Sequence, residues 1–137
     1  MSEAFNVHIL AANHPFYEGE CESLILPTLN GMYGVRAHHR NMITAIVPGE
    51  LQYQLPGEEK QIASVSAGLA KIENGEVLVL VDSAERPEEI DVNRAKRQAD
   101  EAKEAILQKK SIQEYRIAQA ALARALSRLR VKNRTMK

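Results

Sequence analysis

The hydrophobic period of this chain changes once, at Asp91. Before that point apolar residues recur at alternate positions, in short runs stopped by glycine and proline. After it they recur every third or fourth position almost to the end. The first period belongs to half-buried strands and the second to an amphipathic helix, and neither pattern can serve as the other. The chain is therefore expected to divide into a β unit over residues 1–86 and a helical unit over residues 87–137.

In the first unit, residues 5–10 begin as an alternating strand and residues 11–15 break the pattern. Residues 16–19 predict a short strand and turn. Residues 23–26 predict the next strand, stopped at Pro27 because proline cannot donate to a ladder. Asn30-Gly31 is a turn signal, and Gly34 follows closely enough to bend the backbone between them. Residues 42–47 are β-branched and apolar, and Pro48-Gly49 ends them. Residues 50–55 alternate strictly, with Leu51, Tyr53 and Leu55 on one face. Pro56-Gly57 turns the chain and residues 61–66 return. Residues 69–72, Asn74-Gly75 and residues 77–81 predict a hairpin with a type I′ turn. Many short strands at close spacing indicate an antiparallel sandwich or barrel, and about 85 residues can just bury the core of a small two-sheet sandwich. With four Tyr, two Phe and no Trp, that core must be mostly aliphatic.

Several function classes lack support. Formal net charge is zero, so no overall field favours nucleic acid or an anionic membrane. Cys21 is the one cysteine, which excludes an internal disulfide and fits a reducing compartment. Flanked by Glu20 and Glu22, it is a poor nucleophile. His38-His39 invites a metal reading, but His8 and His14 supply no ligand-like spacing, so no metal site is expected. The longest apolar run, residues 77–81, is too short to cross a bilayer, and no signal peptide is recognised; direct membrane insertion is not expected.

From Asp91 onward, Val92, Ala95, Ala99, Ala102 and Ile106 form one helical seam. Asp91 can cap its start, with Pro87 at a first-turn position as the competing start. Lys109-Lys110 ends the run, and Ser111-Ile112-Gln113-Glu114 has the form of a capping box. The second seam is Tyr115, Ala118, Leu122, Ala125 and Leu129. A short connection makes the helices antiparallel. The alanine-rich seams bury little apolar surface, so the hairpin is either an ordinary stable element or one that can open and redock.

A turn centred near Lys110 places Asp91 opposite Leu129 and Arg94 opposite Leu126. Arg124 and Arg128, one helical turn apart, then sit beside Asp91 and Arg94, with Glu85 close by. Three guanidiniums at one end of a hairpin repel unless anions share the space. The arrangement fits either a phosphorylated ligand, aided by the positive helix start, or a surface salt-bridge network. Geometry alone leaves the anion unnamed. The last stretch, from Arg124 through Arg128, Arg130, Lys132 and Arg134 to Lys137, is basic and without an acid.

These residues carry a resemblance. Gly31-x-x-Gly34-Val35 followed by His39, Thr44-Ala45-Ile46-x-Pro48-Gly49, and Ser66-x-Gly68 before a strand resemble the epsilon subunits of bacterial F-type ATP synthases. Ile90-Asp91-x-x-Arg94-Ala95 resembles the nucleotide-binding motif of those members that bind ATP. Arg124-Ala125-x-x-Arg128-Leu129 matches the second half of that site, and Glu85 a further contact. The chain departs from the pattern at Met32, where the family's glutamate stands, at Ala37 and His38, and at Glu101, where some ATP-binding members have arginine.

The resemblance implies an N-terminal antiparallel β-sandwich followed by a C-terminal antiparallel α-helical hairpin. It implies a non-catalytic rotor subunit that docks on the gamma subunit and the c-ring and helps couple proton flow to ATP synthesis. The hairpin would be a switch: folded, it permits turnover; extended, its basic second helix reaches the alpha and beta subunits and inhibits ATP hydrolysis. No cofactor is required. ATP would be a regulatory ligand that holds the folded state through Glu85, Ile90, Asp91, Arg94, Ala95, Arg124 and Arg128. The location implied is peripheral, on the cytoplasmic face of the bacterial cell membrane. Without the resemblance, the competing readings are a metal enzyme built on His38-His39 and a helical-hairpin adaptor that binds no nucleotide.

Overall fold

The strict alternation in Gly49–Gln54 and the apolar run in Glu76–Val81 each become a central strand, one in each of two five-stranded sheets. The structure, a computed structural model, describes residues 3–108 and 111–135. Numbered in chain order, the strands are β1 (Phe5–Ala11), β2 (His14–Cys21), β3 (Ser23–Thr28), β4 (Gly31–Val35), β5 (Met42–Ile46), β6 (Gly49–Gln54), β7 (Lys60–Val65), β8 (Gly68–Glu73), β9 (Glu76–Val81) and β10 (Ala84–Glu85). One sheet runs β2-β1-β9-β8-β5 and the other β10-β7-β6-β3-β4. Their inner faces meet in an aliphatic core in which Val7, Ile9, Leu24, Leu26, Leu51, Ala63, Ala70 and Val79 are fully buried. Leu51 and Tyr53 point into that core together, and Leu55 packs at its margin.

The β8–β9 hairpin turns at Asn74 and Gly75 with φ of 52° and 79°, the paired positive values that a type I′ turn requires. Three expectations about the strands need correction. Residues 11–15 are not a break: β1 and β2 form one hairpin, with Ala11 opposite His14. Pro27 does not end β3. The β6 ladder stops at Ile25, so Pro27 owes no donor on that side, and its carbonyl accepts the Val47 N–H at 3.0 Å. The stretch from Gly31 is not simply bent but is strand β4, paired with β3 from Thr28↔Gly31 to Leu24↔Val35. The sandwich is otherwise antiparallel, but β1 and β9 pair in parallel, Val7 with Val77 and Ile9 with Val79.

Both expected helix starts are used. Pro87 opens a single 3₁₀ turn, Pro87–Glu89. Asp91 then caps α1 (Val92–Gln108), accepting the Arg94 N–H on its carboxylate at 3.1 Å. Ser111 caps α2 (Ile112–Thr135) by accepting the Glu114 N–H at 3.0 Å. The expected end of the first helix at Lys109-Lys110 and the turn centre near Lys110 lie outside the described residues.

The helices are antiparallel: the start of α1 at Val92 and Lys96 shares a cleft with Leu126 and Leu129, and its end at Ala105 and Gln108 faces Glu114 and Ile117. Ala95, Ala99 and Ala102 of α1 and Ala118 and Ala125 of α2 are buried along the seam. The second seam is thinner than expected, since Tyr115 is 38% exposed. In its place α2 buries another flank, Ser127 and Val131, against the sandwich.

Candidate functional site

The junction between sandwich and hairpin is pinned from both sides. Arg86 lays its guanidinium 4.4 Å above the Phe16 ring and donates to the Phe16 carbonyl at 3.1 Å. The Glu89 carboxylate accepts the Arg86 backbone N–H at 3.0 Å, which caps the 3₁₀ turn. From the far end of the chain, Lys132 Nζ donates to the Pro87 carbonyl at 3.1 Å. The short stretch 85–95 is thereby held between β2 on one side and α2 on the other.

A cavity of about 130 Å³ opens there, lined by Glu85, Glu89, Asp91, Arg94, Ala95, Gln98 and Arg128. Arg128 spans it. Its Nε donates to Glu85 Oε1 at 2.5 Å and its Nη1 to Gln98 Oε1 at 3.0 Å. Both charged partners are about three-quarters covered, with 24% and 27% of their side chains exposed. Arg128 and Gln98 also line a groove of about 520 Å³ between the helices, which contains Arg124 and Glu101.

Of the seven residues expected at the site, five, Glu85, Asp91, Arg94, Ala95 and Arg128, share one cavity. Arg124 stands in the adjoining groove. Ile90 is 5% exposed and lines neither; its backbone N–H closes the 3₁₀ turn onto the Pro87 carbonyl at 3.2 Å. Gln98 and Glu89 were not expected. Gln98 could have been found from spacing, since it lies one helical turn beyond Arg94.

The acids around the cavity are each engaged. Glu85 takes Arg128, Glu89 takes Arg86, and Asp91 caps α1. Among the described residues, neither the Arg94 nor the Arg124 guanidinium has a hydrogen-bonding partner. Two uncommitted guanidiniums flank a third, beside a helix N-terminus. That arrangement suits an anion with several oxygens.

The histidine pair is organised differently. His39 Nδ1 faces the Arg40 carbonyl at 2.7 Å and so carries the proton; its Nε2 accepts from the Tyr33 hydroxyl at 2.6 Å. His38 Nε2 turns away to Glu3. Among the described residues no group of three or more His, Cys, Asp or Glu side chains could hold a metal ion, and no helix is long and apolar enough to cross a membrane.

Residues 4–87 match the β-sandwich domain of the ATP synthase delta/epsilon chain, and residues 88–133 its long α-helix domain. The chain is 39% identical over 132 residues to an ATP synthase epsilon chain of Caldanaerobacter subterraneus subsp. tengcongensis, covering 96% of this chain and 95% of that one. It is 39% identical over 130 residues to an ATP synthase epsilon chain of Ruminiclostridium cellulolyticum, covering 95% and 96% respectively. The fold is shared with a chain in the Euglena gracilis mitochondrial ATP synthase (TM-score 0.79, 19% identity), covering 100% of this chain and 84% of that one. It is also shared with a chain in the central stalk and c-ring structure of the Tetrahymena thermophila enzyme (TM-score 0.66, 11% identity, 96% and 98% covered). The chain therefore belongs to the ATP synthase delta/epsilon chain family, whose members are non-catalytic subunits of that enzyme.

Proposed function

We propose that this chain is a rotor subunit of a bacterial F-type ATP synthase whose helical hairpin is a switch set by ATP. The sandwich docks on the gamma subunit and the c-ring, on the cytoplasmic face of the membrane, and helps couple proton flow to ATP synthesis. Assemblies containing a c-ring are named for both solved structures that share the fold, which supports this placement. The extended hairpin carries its basic second helix to the alpha and beta subunits and inhibits ATP hydrolysis; the folded one permits turnover.

The observation that carries the ATP reading is the division of labour around the cavity. Glu85, Glu89 and Asp91 are each committed elsewhere, while Arg94 and Arg124 are not and flank Arg128. Triphosphate oxygens supply the acceptors these guanidiniums lack, and the positive end of α1 adds to the field there. The ligand needs Arg94 on α1 together with Arg128 on α2, which Glu85 holds against the sandwich, so it binds the folded form only. It then stabilises that form by RT ln(1 + [L]/Kd), about 2.7 kcal/mol at a hundredfold excess over Kd. Replacing Arg124 and Arg128 together by alanine is expected to abolish ATP binding and leave the sandwich folded, as read by equilibrium titration and circular dichroism. Retained binding in the double variant overturns the site.

Glu101 favours a second reading, in which the hairpin is a nucleotide-independent adaptor. It lines the same groove as Arg124 and reduces the positive potential there. That reading keeps the fold and the docking and predicts no response to ATP.

A further inference from the structure

Three adjacent strands place Glu50, Ser64 and Glu85 in one cross-strand row: Glu50 pairs with Ser64 between β6 and β7, and Ser64 with Glu85 between β7 and β10. Paired residues project from the same face of a sheet, about 5 Å apart. Helix α2 answers this row point for point. Arg134 meets Glu50, Ser127 meets Ser64 with 3.0 Å between the hydroxyl oxygens, and Arg128 meets Glu85. Ser64 and Ser127 are 4% and 1% exposed, so the middle contact is dry.

The outer contact at Glu50 is built independently of the anion cavity. The carboxylate keeps only 15% of its side chain exposed, and Gln52 Nε2 donates at 2.7 Å to the same oxygen that receives Arg134. Arg130 lines the same cleft. Arg134 lies six residues beyond Arg128, about 9 Å along the helix. Neither Glu50 nor Arg134 lines the cavity that holds Arg94 and Arg128.

We propose that the Glu50–Arg134 pair is a ligand-independent electrostatic latch, which sets how often the folded hairpin opens when no nucleotide is bound. It rests on the reading of the hairpin as a switch and adds to it a second control point. Val131 is the buried apolar contact beside this row, and water can take over each of the polar contacts once the surfaces part.

The test uses the full chain carrying Ser127→Cys, a near-isosteric change that becomes reactive only when α2 undocks. Native Cys21, buried in the sandwich, is the internal control because its alkylation requires the sandwich itself to open. Labelling is followed by mass spectrometry without nucleotide. Glu50→Gln and Arg134→Gln are each expected to accelerate labelling at position 127 about two- to fivefold, with Cys21 unchanged and the double variant no faster than either single one. Raising salt from about 0.05 to about 0.5 M is expected to accelerate the parent far more than the Glu50→Gln variant. An unchanged rate at position 127 overturns the latch. So does an equal acceleration at Cys21, which would make Glu50 a general stability contact. The nucleotide reading stands or falls separately, on whether ATP slows labelling in the parent but not in the Arg124→Ala, Arg128→Ala background.

Discussion

A methyl group at Gly68 would sit 1.9 Å from the Leu80 carbonyl oxygen, a backbone atom that cannot swing aside. Gly68→Ala is therefore expected to cost about 3 kcal/mol, read as a lower urea midpoint with little change in slope. Gly34 has nothing within 4 Å of the same position, so Gly34→Ala should stay within about 0.5 kcal/mol. Two glycines of the recognised pattern thus do different work, and only the packing around each separates them. Cys21 carries a pH signature. Burial pushes its thiol from 9.0 up to about 11, so the folded chain keeps a proton that the unfolded chain loses. The stabilisation is complete below about pH 9 and is lost as pH rises towards 11. Burial acts in the same direction on Tyr17, raised from 10.0 to about 12. Unfolding in urea at about pH 8 and about pH 10.5 should show a smaller alkaline loss for Cys21→Ser than for the parent.

Among the elements, periodicity gave the β8–β9 hairpin, the β6 face and both helix caps, because each depends on neighbours in sequence. What it missed depends on partners far along the chain. The run of β3 through Pro27 follows from where the β6 ladder ends, and the parallel β1–β9 pair joins strands some 70 residues apart. The buried Ser127–Val131 flank of α2 was hidden for a related reason. A helix packed on two sides shows no single clean stripe, and a serine gives no apolar signal. The candidate site was legible from helix spacing for Asp91 at the cap of α1, Arg94 on it, and Arg124 with Arg128 on α2; Ala95 came from the motif resemblance. Gln98 was missed because a neutral amide has no charge to count, and the placement of Arg124 in the groove depends on how the helices pack. At the seam, Ala125 is 1% exposed with α1 against it. Ala125→Leu should wedge the helices apart at about 1–3 kcal/mol, and hydrogen exchange should rise in α1 and α2 while β1 and β9 keep their protection.

At the scale of the molecule, a rigid sandwich with a continuous aliphatic core carries a hairpin held mostly by alanine contacts and a row of polar pairs. That contrast in stability is what a switch needs. In the proposed switch the hairpin changes position while the sandwich keeps its own core, because that core does not include the helices. The proposed ligand would join Arg94 of α1 to Arg128 of α2, which Glu85 of β10 already holds, and so would bias the proposed movement from one end.

The most direct test is calorimetric titration of the isolated full-length chain with ATP at moderate salt, with ADP and GTP as controls. The expected result is saturable binding, one site per chain, tighter for ATP than for the controls, and lost when Arg124 and Arg128 are both alanine. No heat of binding at millimolar ATP would contradict a nucleotide-set switch and leave the hairpin as a nucleotide-independent adaptor.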